Sequence, residues 1–175
     1  MQTREILLSR PSLGQLLATL GGTPCPLLPQ APCSAKEFLA ARQEWEAAGL
    51  ASLDFDGALH PEPPFDRLLL HLKTGTAVLR LARDGAERLF VRGTVDTAQL
   101  RRAAAAEPWR ISLRPLSEAK RAVQRALREP GEWELAVWEK GGGEPLAARF
   151  PCGEAAARAG ALLQQFYGKE AERNG

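Results

Sequence analysis

The sequence predicts an α+β protein, a mostly antiparallel sheet with flanking helices that contains a quasi-two-fold hairpin-helix repeat. Three observations carry this. Residues 76–93 (TAVLRLARDGAERLFVRG) hold two apolar runs of period two around Asp84-Gly85, a turn pair whose glycine takes a positive φ without steric cost. Residues 133–150 repeat the design around Gly141-Gly142-Gly143. A shift of 57 positions lays Gly85 on Gly142, Glu87 on Glu144, Leu89 on Leu146 and Arg92 on Arg149. Ala/Arg-rich stretches after each hairpin read as amphipathic helices.

In chain order, residues 3–8 read as a short strand. Ser12 is positioned to cap a helix carrying Leu13, Leu16, Leu17 and Leu20, which Gly21-Gly22 stops. TPCPLLPQAPC is a proline-studded connector. Ser34 and Glu37 form a capping box, and Phe38, Ala41, Trp45 and Ala48 line one face of the helix that follows, up to Gly49. LASLDFDGALHP reads as a wing-like ribbon turning at Asp56-Gly57, and residues 65–72 as a short helix. Residues 1–72 thus form a mainly helical, winged-helix-like part and 73–175 a hairpin/helix repeat part, the two making one unit.

In the hairpin at 76–93, an odd-length loop would put Leu79, Leu81, Leu89 and Val91 on one face. Val78, Arg80, Arg88, Phe90 and Arg92 would then share the other. Asp96 or Thr97 opens a helix running to Ala106. WRISLRPL (109–116) is a one-sided strand with Trp109, Ile111 and Leu113 facing in and Arg110, Ser112 and Arg114 facing out. From Ser117, Ala119, Ala122, Val123, Ala126 and Leu127 make an apolar helical stripe opposite Lys120, Arg121, Arg125 and Arg128. In the next strand Trp133, Leu135 and Val137 oppose Trp138. A last helix spans 153–167, and the charged tail 169–175 frays.

Net charge is +2 over 175 residues, but it is unevenly spread. Residues 80–128 carry 12 Lys/Arg against 5 Asp/Glu, and the segments on either side are acidic. No stretch approaches the ~20 apolar residues of a membrane span, and no signal-peptide pattern opens the chain. Three cysteines without a framework point to a reducing compartment, so the expected location is cytoplasmic and no membrane partner is expected.

No motif announces a chemistry. Cys25, Cys33, His60 and His71 lack the close pairing of zinc ligands, so no metal or cofactor is expected. Cys152 stands near a helix start but has no base beside it in sequence. Asp54, Asp56 and Glu62 are explained by the turn at Asp56-Gly57. The triple glycine lacks the Lys-Ser/Thr of a phosphate loop. The strongest electrostatic feature is the basic helix with Arg110 and Arg114 before it. Arg110, Arg114, Arg121, Arg125 and Arg128 could together neutralise phosphates, or pair with Glu118, Glu129, Glu132 and Glu134 as an ordinary solvated face, which is the favoured reading.

Four stretches resemble the EspG-type chaperones of type VII (WXG-type) secretion: LLATLGGTPCPLLP, WEAAGLASLDFDGALHPE, TAVLRLARDGAERLFVRGTVDTAQLRRAAAAEP and EWELAVWEKGGGEPLAARF. The resemblance implies a quasi-two-fold mixed α/β protein and a non-enzymatic cytosolic chaperone or adaptor that binds the aggregation-prone tip of a small helical secreted protein. Such a tip needs an apolar patch with a polar rim. The residues read for that patch are Val78, Phe90 and Trp138, extended by the hairpin loops at Arg83, Asp84, Gly85 and Lys140. The alternatives are a nucleic-acid-binding regulator using the basic helix, and a small-molecule enzyme whose polar pocket the sequence does not reveal.

Overall fold

A computed structural model describes residues 5–22, 24–30, 34–63 and 65–168. The strands are β1 (Ile6–Leu8), β2 (Ala51–Leu53), β3 (Leu59–Pro61), β4 (Ala77–Arg83), β5 (Ala86–Arg92), β6 (Asp96–Arg102), β7 (Trp109–Pro115), β8 (Trp133–Glu139) and β9 (Leu146–Phe150). The helices are α1 (Arg10–Leu20), α2 (Ala35–Ala47), α3 (Asp66–Thr74), α4 (Leu116–Leu127), α5 (Ala155–Arg158) and α6 (Gly160–Tyr167). Seven strands form one antiparallel sheet in the order β1-β7-β6-β5-β4-β8-β9, and β2-β3 is a separate ribbon. The α+β class with helices flanking the sheet is therefore observed.

Both faces of the sheet are covered. On one, Ile6, Leu8, Val78, Leu89, Val91, Ala98, Leu100, Trp109, Ile111 and Trp138 pack with α1, α2 and α3. On the other, Leu79, Leu81, Phe90, Trp133, Leu135, Val137 and Phe150 pack with α4, α5 and α6. This double coverage corrects the predicted register. Arg83 pairs with Ala86 and Leu79 with Phe90, so the turn has two residues, with Asp84 at φ 50° and Gly85 at φ 80°. These are the positive angles a tight hairpin turn demands. Leu79 and Leu81 therefore face one layer while Leu89 and Val91 face the other. Apolar pattern could not choose the register because both faces are greasy.

The two hairpins lie side by side as β5-β4-β8-β9, with β4 and β8 antiparallel, which gives the hairpin part of the repeat a local two-fold. The 57-residue offset itself sets residues of opposite faces together: Leu89 is in the first core and Leu146 is exposed, alternating with Ala147 on β9. The second hairpin is followed by α5 and α6, and the first by a strand.

That strand, β6, corrects the helix expected over 97–106. Alanine favours helix locally. Here Ala98 and Leu100 alternate with Thr97 and Gln99, and the segment bonds to β5 on one side and β7 on the other. Tertiary pairing overrides propensity, and 103–108 is left as an exposed connection. The helix expected over 153–167 is broken into α5 and α6 at Ala159. Ser112, expected outside, is 3% exposed beneath α4.

The helical layer is tied by polar contacts. Ser9, not Ser12, caps α1, because Pro11 fits the first turn and pushes the start back. The Glu44 carboxylate of α2 accepts from the Ser9 hydroxyl (2.8 Å), the Ser9 N–H and the Ser12 hydroxyl. The Trp45 indole donates to the Ser12 carbonyl at 3.1 Å. Ser34 caps α2 with Glu37 in the first turn, as the capping box predicts. Cys33 and the tail 169–175 lie outside the described residues.

Candidate functional site

The residues read for an apolar docking patch do not form one. Val78 and Trp138 are cross-strand neighbours, 2% and 6% exposed, sealed under α1–α3. Phe90 is fully buried on the opposite face with α4 and α6. The hairpin tips also fall at opposite ends of the sheet: Asp84-Gly85 closes the end of β4 from which β8 begins, and Lys140 follows the other end of β8. Arg83 is engaged, stacking over the Trp133 ring at 4.8 Å and donating to Glu129 at 2.9 Å. Asp84, Gly85 and Lys140 are exposed.

The surface carries three other features. The first is the β2-β3 ribbon. Asp54 Oδ1 accepts the N–H groups of Asp56 (3.0 Å) and Ala58 (2.8 Å), and Oδ2 meets His60 Nε2 at 2.9 Å. These bonds, the His60 contact first, hold the Asp54 carboxyl below the usual carboxylate range. They also fix the tip, where the Phe55 ring stands wholly in solvent. Arg42 of α2 reaches the Leu53 carbonyl at 3.4 Å, and Leu39, one turn earlier on α2, is 57% exposed. The ribbon is legible in the sequence, whereas Phe55 fits no periodic pattern. Its signal was an aromatic set between two aspartates at a turn, where no core could receive it.

The second is a charge row across the sheet. Arg80 donates to Glu87 (2.8 Å) and Glu134 (2.7 Å); Arg102 donates to Glu87 through Nε (2.8 Å) and Nη2, and lies over the Trp109 ring at 4.8 Å. Arg149 completes the row on Glu134 at 3.4 Å. Burial pushes the Glu87 carboxyl up, but the bonds from Arg80 and Arg102 outweigh it and hold it below the usual range. A cavity of 410 Å³ opens on one side of this row and one of 260 Å³ on the other, under residues 26–30.

The third is the basic face. Of the acidic residues named for pairing, Glu118 is paired with Arg114 (3.8 Å), as the favoured reading expects, whereas Glu129 is taken by Arg83 and Arg88 and Glu134 by Arg80 and Arg149. Arg121, Arg125 and Arg128 are exposed and have no acidic partner among the described residues. Arg110 lies on the same side of the sheet, sharing Glu5 (4.0 Å) with Arg101 (2.7 Å).

The sheet edge at β9 is shortened by prolines at both ends. Lys140 N–H donates to the Thr76 carbonyl at 2.9 Å, which sets the alternation of the ladder. Leu146, Ala148 and Phe150 accordingly bond to β8, and Ala147 and Arg149 turn their backbone outward. The same period assigns Pro145 and Pro151 to outward positions, where they offer no N–H.

Among the described residues, no group of three or more His, Cys, Asp or Glu could hold a metal ion. Cys25 is buried, which pushes its thiol up, and the exposed Cys152 accepts the Gly131 N–H at 3.2 Å. No helix among the described residues is long and apolar enough to cross a membrane. No family model matches the chain, and no curated protein matches it.

Proposed function

We propose that this protein is a chaperone or adaptor of the EspG type, which binds the apolar tip of a small helical secreted protein and keeps it soluble in the cytoplasm. The observation that carries the reading is Phe55, a fully exposed aromatic on a turn fixed by three contacts to Asp54. An aromatic on a fixed turn costs little backbone entropy to bind and buries its whole apolar area. Leu39 adds exposed apolar surface on the neighbouring helix, and Asp54, Asp56 and Arg42 supply a polar rim. This moves the docking surface from the sheet to the ribbon. The test is light scattering of a purified WXG-type substrate diluted from denaturant. Wild type suppresses aggregation at stoichiometric ratio, and Phe55→Ser loses at least half of that protection. Equal protection by both, or none by either, refutes the ribbon as the docking surface.

A second reading, a nucleic-acid-binding regulator, is favoured by the row Arg121, Arg125 and Arg128, which has no acidic partner among the described residues, with Arg110 nearby. It predicts that the affinity for duplex DNA falls steeply with salt. Replacing all three helix arginines by Gln then reduces the slope of log K on log salt by about three, one for each phosphate that is no longer neutralised.

A further inference from the structure

The two halves of α4 are held by different means. The C-terminal half buries Val123, Ala126 and Leu127 in the core that contains Leu81, Phe90 and Trp133. Just beyond it, the Glu129 carboxylate accepts from Arg83 (2.9 Å) and Arg88 (3.0 Å), and the Glu129 carbonyl accepts from the Trp133 indole at 3.3 Å. This end is anchored. The first half, residues 116–122, contains a single buried residue, Ala119. No side chain caps its N-terminus, because Pro115 occupies the capping position. The Leu116 N–H donates to the Val95 carbonyl at 3.2 Å, and Glu118 pairs with Arg114 at 3.8 Å, a partly exposed pair of the kind that contributes little. Lys120 lies over the Tyr167 ring at 5.0 Å.

The surroundings of this first half are polar and incompletely satisfied. Thr97 and Arg114 are cross-strand partners on β6 and β7, and Arg114 is the residue that Glu118 meets. Thr97 Oγ1, Arg114 Nε and the Tyr167 hydroxyl are all buried without a hydrogen-bond partner. Each is desolvated in the closed fold and regains water when the chain above it unwinds, so opening returns part of its own cost. In the C-terminal half, opening would instead wet Val123 and Leu127 and break the Glu129 contacts. We infer that residues 116–122 of α4 open locally, unwinding from Leu116 while the Glu129 anchor and the apolar core hold the rest of the helix in place. The first two turns of α4 are thus a hinged cover, and the open state uncovers Thr97 and Arg114, a polar strip of the sheet that the closed state hides.

Residue-resolved amide hydrogen exchange of the full-length protein checks this, followed in ¹H–¹⁵N spectra over a series of urea concentrations below the unfolding transition. After correction for intrinsic rates, the amides of Lys120 to Val123, whose helical acceptors lie in the first turns, should exchange at least about tenfold faster than those of Ala126 and Leu127. They should also exchange at least about tenfold faster than the amide of Leu79, on a strand paired on both sides. Their rates should depend only weakly on urea, because a local opening exposes little surface, whereas Leu79 should follow the steep slope of global unfolding. Thr97→Val, which keeps the side-chain shape and removes the unpaired hydroxyl, should slow the Lys120–Val123 group about threefold. Uniform exchange along α4, a urea slope for Lys120–Val123 as steep as that of Leu79, or unchanged rates in Thr97→Val would each overturn the inference. The first two outcomes are read in wild type and decide the matter whatever the variant does.

Discussion

The two faces of the β6-β7 pair are built on opposite principles. Under α1–α3, Ala98, Leu100, Trp109 and Ile111 form a continuous apolar floor at most 2% exposed. Under α4, the same two strands present Thr97, Gln99, Ser112 and Arg114 to a helix whose buried side chains are mainly Ala119, Val123 and Ala126. Three atoms there, Thr97 Oγ1, Gln99 Oε1 and Arg114 Nε, are buried without a hydrogen-bond partner. The contrast assigns the stability to the first face. Apolar burial dominates there, with the Trp109 indole N–H as an unpartnered buried donor, whereas the second face spends more of its burial on desolvating polar groups.

The largest expected effect lies on the apolar face. Leu100→Ala, at a fully buried position, should cost about 2–5 kcal/mol by chemical denaturation. A loss below about 1 kcal/mol would break the comparison.

Next is Glu87→Gln on β5, opposite Arg102 at the end of β6, which withdraws the charge that Arg80 and Arg102 share. The expected cost is about 1–3 kcal/mol at pH 7. The pH dependence has a definite sign. The Glu87 carboxyl sits below its ordinary value in the fold, so its contribution is complete above the unfolded-state value of about 4.3 and is lost as pH falls through the folded value. Wild-type stability should therefore drop more steeply than that of Glu87→Gln as pH is lowered from about 5. Parallel profiles would show that Glu87 is not the group responsible.

A pair of opposite exchanges sharpens the contrast between the faces. Thr97→Val removes an orphaned hydroxyl beneath α4 and should change stability by less than about 1 kcal/mol, in the stabilising direction. Val91→Thr introduces a hydroxyl into the apolar floor and should cost about 1–3 kcal/mol. Thermal unfolding of the two variants side by side measures the difference. Smallest of all, Arg125→Gln and Arg128→Gln should stay within about 0.5 kcal/mol of wild type, as exposed positions without partners do.

The difference between the faces also explains what could be read from the chain beforehand. β8 was legible because Trp133, Leu135 and Val137 alternate cleanly against Trp138, and α2 because Ser34 and Glu37 mark its start. β6 was hidden because its polar inner residues, Thr97 and Gln99, and the alanine run after it mimic a helix start. The β4-β5 register was hidden because a strand buried on both faces carries no in/out pattern. The same absence of an in/out pattern hid the burial of Val78, Phe90 and Trp138. Val78, Phe90 and Trp138 look like a surplus of apolar side chains only if one face of the sheet is bare. Phe55 is the fully exposed aromatic instead, and its isolation between Asp54 and Asp56 left it outside every periodic pattern. The cavity beside Arg80 joins residues from 10 to 109, a juxtaposition that no local spacing encodes.

The most direct measurement is affinity purification from the native host, wild type and Phe55→Ser in parallel, with mass spectrometry and stoichiometry of what is retained. The account predicts that wild type brings down a small helical secreted protein at near one-to-one ratio and that Phe55→Ser, equally well folded, does not. Retention of the same protein by both, or of nucleic acid in place of a protein, would contradict it.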